Sequence, residues 1–119
     1  MKLSDVKEAL KAEVIFGEHK LDMTVRAAAG SDLMSDLLTG PTAGVLLLSG
    51  LNNLQVIRTS IIAGIAALVI VRGKRPDQGM ISQARDHDLP ILSTPFTMYT
   101  ACGRLFREGL RGVERKVTV

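Results

Sequence analysis

Val45-Leu46-Leu47-Leu48-Ser49-Gly50-Leu51-Asn52-Asn53 is the stretch that decides the fold of this chain. Four consecutive apolar residues, without polar alternation, read as a strand buried on both faces. The Ser-Gly turn and the Asn pair read as a loop ending in a helix cap. The pattern recurs downstream. A helix over 54–63, stopped by Gly64, leads to a second apolar run, Ala66-Ala67-Leu68-Val69-Ile70-Val71, closed by Arg72-Gly73. Pro76 opens a helix at about its first position, with Met80, Ile81 and Ala84 inward, and Asp86-His87-Asp88 ends it. Pro90-Ile91-Leu92 is a third strand. Thr94-Pro95 pairs a cap with a first-turn proline, and the last helix runs from Phe96 to about Leu110. Such alternation requires parallel strands joined by right-handed crossovers. The expected class is α/β, a three-layer sandwich with a mostly parallel central sheet.

Upstream the signals are thinner. Ser4 suits the cap of a short helix with Val6 and Leu10 on one face. Glu13-Val14-Ile15-Phe16 reads as a strand ended by Gly17, and Met23-Thr24-Val25-Arg26-Ala27 as another. Ser31 caps a helix through Leu38, with Asp32 as a first-turn anion and Leu33, Met34, Leu37 and Leu38 as its apolar stripe.

The chain has 119 residues, enough for one domain over 1–119, and 46% of them are hydrophobic, so a packed core is expected. The longest apolar run, 61–71, is too short for a membrane helix, which needs about 20 residues. Charges interrupt the N-terminus too often for a signal peptide. A cytoplasmic location without a membrane partner is expected, and a single Cys fits a reducing compartment. Residues 104–119 hold five Arg or Lys against two Glu, so the positive charge collects at the C-terminal end. With aromatics at 3% and no recognition motif, nucleic acid is not the expected partner; a solvated last helix is.

In parallel sheets, ligands bind beyond the carboxyl ends of the strands. Those ends carry Ser49, Gly50, Asn52 and Asn53, then Arg72, Gly73 and Lys74, then Ser93 and Thr94. Two glycines allow close backbone approach, helix N-termini point their N–H groups there, and the cations favour an anion. These nine residues are the candidate ligand-binding set for a nucleotide or phosphorylated metabolite. The plainer reading is that Asn52, Asn53 and Thr94 cap helices and the glycines only turn. The cofactor is not legible.

Catalytic motifs are lacking. Gly73-Lys74 is followed by Arg75, and no glycine stands five residues before Gly73, so there is no P-loop. Two His and one Cys do not make a conventional zinc site. His87 reads as a surface residue at a helix end. Cys102 shares a helix face with Met98, Tyr99, Leu105 and Phe106 and reads as a core thiol. Asp32 and Asp36 stand four apart and offer the one carboxylate pair on a helix. The chain is therefore not expected to be an enzyme.

The strings Ser31-Asp32-Leu33-Met34-Ser35-Asp36-Leu37-Leu38, Leu47-Leu48-Ser49-Gly50-Leu51, Gln55-Val56-Ile57-Arg58-Thr59, Val71-Arg72-Gly73-Lys74-Arg75-Pro76, Pro90-Ile91-Leu92-Ser93-Thr94 and Cys102-Gly103-Arg104-Leu105 together resemble the DRTGG domain over nearly the whole chain. The residues of the family name do not occur contiguously, so the wider pattern carries the likeness. The resemblance implies a fold like the N-terminal domain of HPr kinase/phosphorylase, without the kinase's catalytic part. It also implies a regulatory, ligand-sensing role, since DRTGG domains stand beside CBS domains. Stand-alone relatives are similar to proteins encoded near iron-only hydrogenases. Two functions follow as expectations. One is a sensor of a small anionic molecule. The other is an assembly subunit of a redox enzyme complex without a ligand of its own. Surplus apolar residues on the helices, Ile57, Ile61 and Ile62 and then Met98, Leu105, Phe106 and Leu110, add the expectation of a homodimer.

Overall fold

A computed structural model describes residues 1–38 and 41–113, without the side chains of Asp36 and Leu38. Its elements are α1 (Leu3–Leu10), β1 (Glu13–Phe16), β2 (Ala27–Gly30), β3 (Val45–Ser49), α2 (Leu54–Ala63), β4 (Ala67–Ile70), α3 (Gln78–Asp86), β5 (Ile91–Ser93) and α4 (Met98–Arg107). Short 3₁₀ turns span Glu18–Lys20 and Met34–Leu38. The strands form one sheet in the order β1-β5-β4-β3-β2. β2, β3, β4 and β5 are parallel; β1 joins β5 antiparallel.

The apolar runs are continuous because both faces of the sheet are covered. Leu46, Leu48, Ala67, Val69 and Leu92 pack on one face with Leu3, Val6 and Leu10 of α1 and Ala101 and Leu105 of α4. Val45, Leu47, Leu68, Ile70 and Ile91 pack on the other with Val56 and Ile57 of α2 and Met80 and Ala84 of α3. Successive residues of each strand thus serve opposite layers, as the two-residue period requires. The α/β sandwich with a mostly parallel sheet is the observed architecture.

Five local expectations give way. The strand expected at 23–27 lies at Ala27–Gly30, where Ala27 pairs with Val45 and Gly30 with Leu48. Val25 is instead buried with α1, its N–H donating to the Met1 carbonyl at 2.9 Å. An Ala-Ala-Ala-Gly strand has weak intrinsic β preference, so tertiary pairing decides it. The helix expected over 31–38 is a 3₁₀ turn from Met34; Met34 and Leu37 are buried, while Leu33 is exposed. Helix α1 begins at Leu3, so Ser4 lies inside its first turn; the Lys2 N–H donates to Asp5 Oδ2 at 3.1 Å. Helix α4 starts after Thr97, whose hydroxyl accepts from the Thr100 N–H, and α3 after Asp77, whose carboxylate accepts from Met80 N–H at 2.9 Å. Pro95 and Pro76 therefore precede these helices rather than open them. The side chain of Asp36 and the basic residues 115 and 116 lie outside the described residues.

Candidate functional site

Because β3, β4 and β5 are parallel neighbours, the loops after them leave the same edge of the sheet. The loop after β2 joins them there. Asp32 is the tie between the first two. Its Oδ1 accepts the Gly50 N–H at 2.6 Å and the Ser49 hydroxyl at 3.0 Å. A Cβ on Gly50 would stand 3.3 Å from the Asp32 carboxylate and 3.4 Å from the Arg72 guanidinium. Gly50 is thus where three loops come close, and the missing side chain is what lets them.

The loop after β4 is held by its neighbours. Arg72 and Gly73 both take left-handed backbone, with φ of 63° and 67°. This turns the Arg72 N–H to the Phe96 carbonyl and the Gly73 N–H to the Thr94 carbonyl, each at 2.8 Å. The Ser93 hydroxyl donates to the Lys74 carbonyl at 2.7 Å. Lys74 Nζ donates to the Gly50 carbonyl at 2.7 Å, and Asn52 Nδ2 to the Arg75 carbonyl at 2.8 Å. A non-glycine residue in the left-handed region costs about 1 kcal/mol, which the clamped loop sustains at Arg72.

The nine predicted residues divide into two groups. Ser49, Gly50, Ser93 and Thr94 are buried and hold the edge together. Thr94 does not cap α4; its hydroxyl donates to the Leu10 carbonyl at 2.7 Å and accepts from the Phe96 N–H. Asn53 is exposed and caps α2, accepting from the Val56 N–H at 3.2 Å. Asn52, Arg72 and Gly73 are exposed, and Lys74 is half-buried. Arg75, the third cation, is committed to Glu13 of β1. Its hydrogen bond and charge hold the Glu13 carboxyl below the ordinary carboxylate range. The edge thus carries a guanidinium, an ammonium, an amide and one carboxylate; the last three already bond to neighbouring loops, and the guanidinium of Arg72 forms no hydrogen bond among the described residues.

Asp32 is the site residue that sequence reasoning misplaced. Reading 31–38 as helix made it a first-turn anion, and placing β2 four residues early hid that it follows a strand. The signal lay in Gly30-Ser31-Asp32 standing at a fourth strand end. Elsewhere, a cleft of about 700 Å³ lies between α1 and the C-terminal end of α4. Its arginines, Arg26, Arg104 and Arg111, each donate to backbone carbonyls, so they serve the fold. Cys102 is half-buried rather than fully so, and burial pushes its thiol up. Tyr99 and Phe106 do not share its packing; both are exposed.

This chain is similar in fold to the CBS and DRTGG domains of the regulatory region of Clostridium perfringens pyrophosphatase, solved with the activator diadenosine tetraphosphate. The TM-score is 0.74 at 17% identity, over 87% of this chain and 45% of that one. The chain therefore spans less than half of that regulatory region. Among curated proteins there is no match. No helix among the described residues is long and apolar enough to cross a membrane. The DRTGG domain model matches residues 5–107, and the chain therefore belongs to the DRTGG domain family.

Proposed function

We propose that this chain is a non-catalytic regulatory module that binds a small anionic ligand, a nucleotide or phosphorylated metabolite, at the carboxyl edge of its parallel sheet. The observation that carries the reading is Arg72. Its guanidinium is exposed, stands over Gly50, and forms no hydrogen bond among the described residues. A strained backbone clamped by two hydrogen bonds to the β5 loop holds it there. Strain sustained at a polar, solvent-facing position points to function. Lys74 adds a second positive charge, and the Gly73 backbone is open to approach. The regulatory context and nucleotide activator of the pyrophosphatase region support the same reading.

Thermal unfolding in the presence of ATP, diadenosine tetraphosphate and inorganic phosphate tests it. A ligand present at 100 times its Kd stabilises by about 2.7 kcal/mol. At least one of these compounds is expected to raise Tm, and Arg72→Ala is expected to abolish the rise while leaving the unliganded Tm near its original value. A rise retained in Arg72→Ala contradicts the site. The alternative, an assembly subunit of a redox complex such as an iron-only hydrogenase, requires no rise with any of them.

A further inference from the structure

Helix α4 carries an apolar stripe that the fold leaves largely open. Tyr99 is 90% exposed and Phe106 57% exposed, and Cys102 is only half-buried between them. Gly103 lies in the same stripe. A Cβ there would meet nothing within 4 Å, and its φ is not positive, so neither packing nor backbone geometry within the chain calls for glycine. Glycine inside a helix nonetheless carries an entropic cost relative to alanine. A second backbone brought against this position would use the missing side chain.

The geometry points to a second copy of this chain as the occupant, packed through α4 in a two-fold antiparallel pair. About an axis passing between positions 102 and 103, Tyr99 of one protomer meets Phe106 of its partner, and Cys102 meets Gly103. Position 99 is as far before that axis as 106 is after it, so the stripe is complementary to itself, which an isologous interface demands. Charge favours the same arrangement. Arg104 donates to the Ala9 carbonyl at 2.6 Å and stacks on Phe96. Arg111 donates to the Phe106 carbonyl and stacks on the outer ring at 4.1 Å. Arg107 is the exposed cation of the helix, and antiparallel packing sends the two copies of it to opposite ends, whereas parallel packing would face them. An acidic partner would find two of the three guanidiniums already engaged.

Aromatic side chains bury about 150–250 Å² each; at their present exposures Tyr99 and Phe106 supply roughly 300 Å² per protomer, under half of the roughly 800 Å² of a standard interface and thus the centre of a small one. The groove beside them, lined by Thr100, Cys102, Gly103 and Arg107, and the apolar cleft where α4 meets β2, lined by Ala29, Gly30 and Leu110, extend the patch.

Sedimentation equilibrium of the full chain at tens of micromolar tests this, with circular dichroism confirming the fold of each variant. The wild type is expected at twice the monomer mass. Gly103→Leu and Phe106→Glu are each expected to raise the dimer Kd at least tenfold with unchanged helix content, both positions being exposed. Because Cys102 is the chain's single cysteine and lies beside the axis, its labelling by a maleimide should slow several-fold as the wild type is concentrated from below the dimer Kd to above it, a readout that needs no substitution. A wild type at monomer mass overturns the proposal, as does a dimer that survives both substitutions or leaves the labelling rate of Cys102 unchanged.

Discussion

The Asp32 carboxylate takes two hydrogen bonds that hold the β3 loop, one from the buried Gly50 N–H. Asp32→Ala strands both donors and is expected to cost about 1–3 kcal/mol, read by urea unfolding; an unchanged midpoint would mean the tie is idle. Gly17 has φ of 104°, and a Cβ there would lie 2.7 Å from Pro90 Cβ and 2.8 Å from its Cα. The obstacle is partly backbone, so Gly17→Ala is expected to cost about 2–4 kcal/mol through strain and overpacking. The same denaturation experiment would count against this packing if the variant were as stable as the parent. The Cys102 thiol, raised by burial, is expected to react slowly with a small thiol reagent at neutral pH and faster once the chain is unfolded. Rapid native labelling would contradict that.

At the scale of elements, the β3–α2–β4–α3–β5–α4 series was legible in the sequence because each strand is an unbroken apolar run followed by a polar turn. Sequence reading reached the carboxyl edge, since parallel strands put consecutive loops together. It missed β2 because Ala27-Ala28-Ala29-Gly30 has neither branched nor aromatic residues; only pairing with Val45–Ser49 makes it a strand. Asp32 was lost with it. It placed the α4 cap at Thr94 because Thr-Pro imitates a helix start, while the buried Thr94 hydroxyl answers to Leu10 across the fold. Such contacts between residues distant in sequence leave no local trace. Ionic contacts near the surface also join distant elements. Glu13 of β1 pairs with Arg75, and Asp88 after α3 is held by Lys20 and His19 beyond β1. Both carboxyls are depressed, Asp88 first by the Lys20 hydrogen bond and then by that of His19. A depressed carboxyl contributes stability above its ordinary range and loses it as pH falls through the lowered value. Wild type should therefore exceed Glu13→Gln slightly at neutral pH, and the two should converge in acid; the exposure of the pair keeps the difference small. Thermal melts across pH 2–7, a window of about five units around the ordinary carboxylate range, would refute this if the difference grew on acidification.

For the whole molecule, one sheet with both faces covered does two things. It places β4 in the centre, where Leu68 and Ile70 are fully buried, so Leu68→Ala is expected to cost about 2–5 kcal/mol. It also brings the chain's scattered polar loops to one edge, while α4 presents its apolar stripe on a flank of the sheet. The proposed ligand site and the proposed α4 interface thus lie on different surfaces. Amide chemical shifts recorded by NMR during titration with diadenosine tetraphosphate, and separately with ATP, test the proposal that the carboxyl edge is the ligand site. Perturbations are expected to concentrate at Gly50, Asn52, Arg72, Gly73 and Lys74. Perturbations absent with both compounds, or centred on the cleft of Asp5, Arg26 and Arg104, would contradict it.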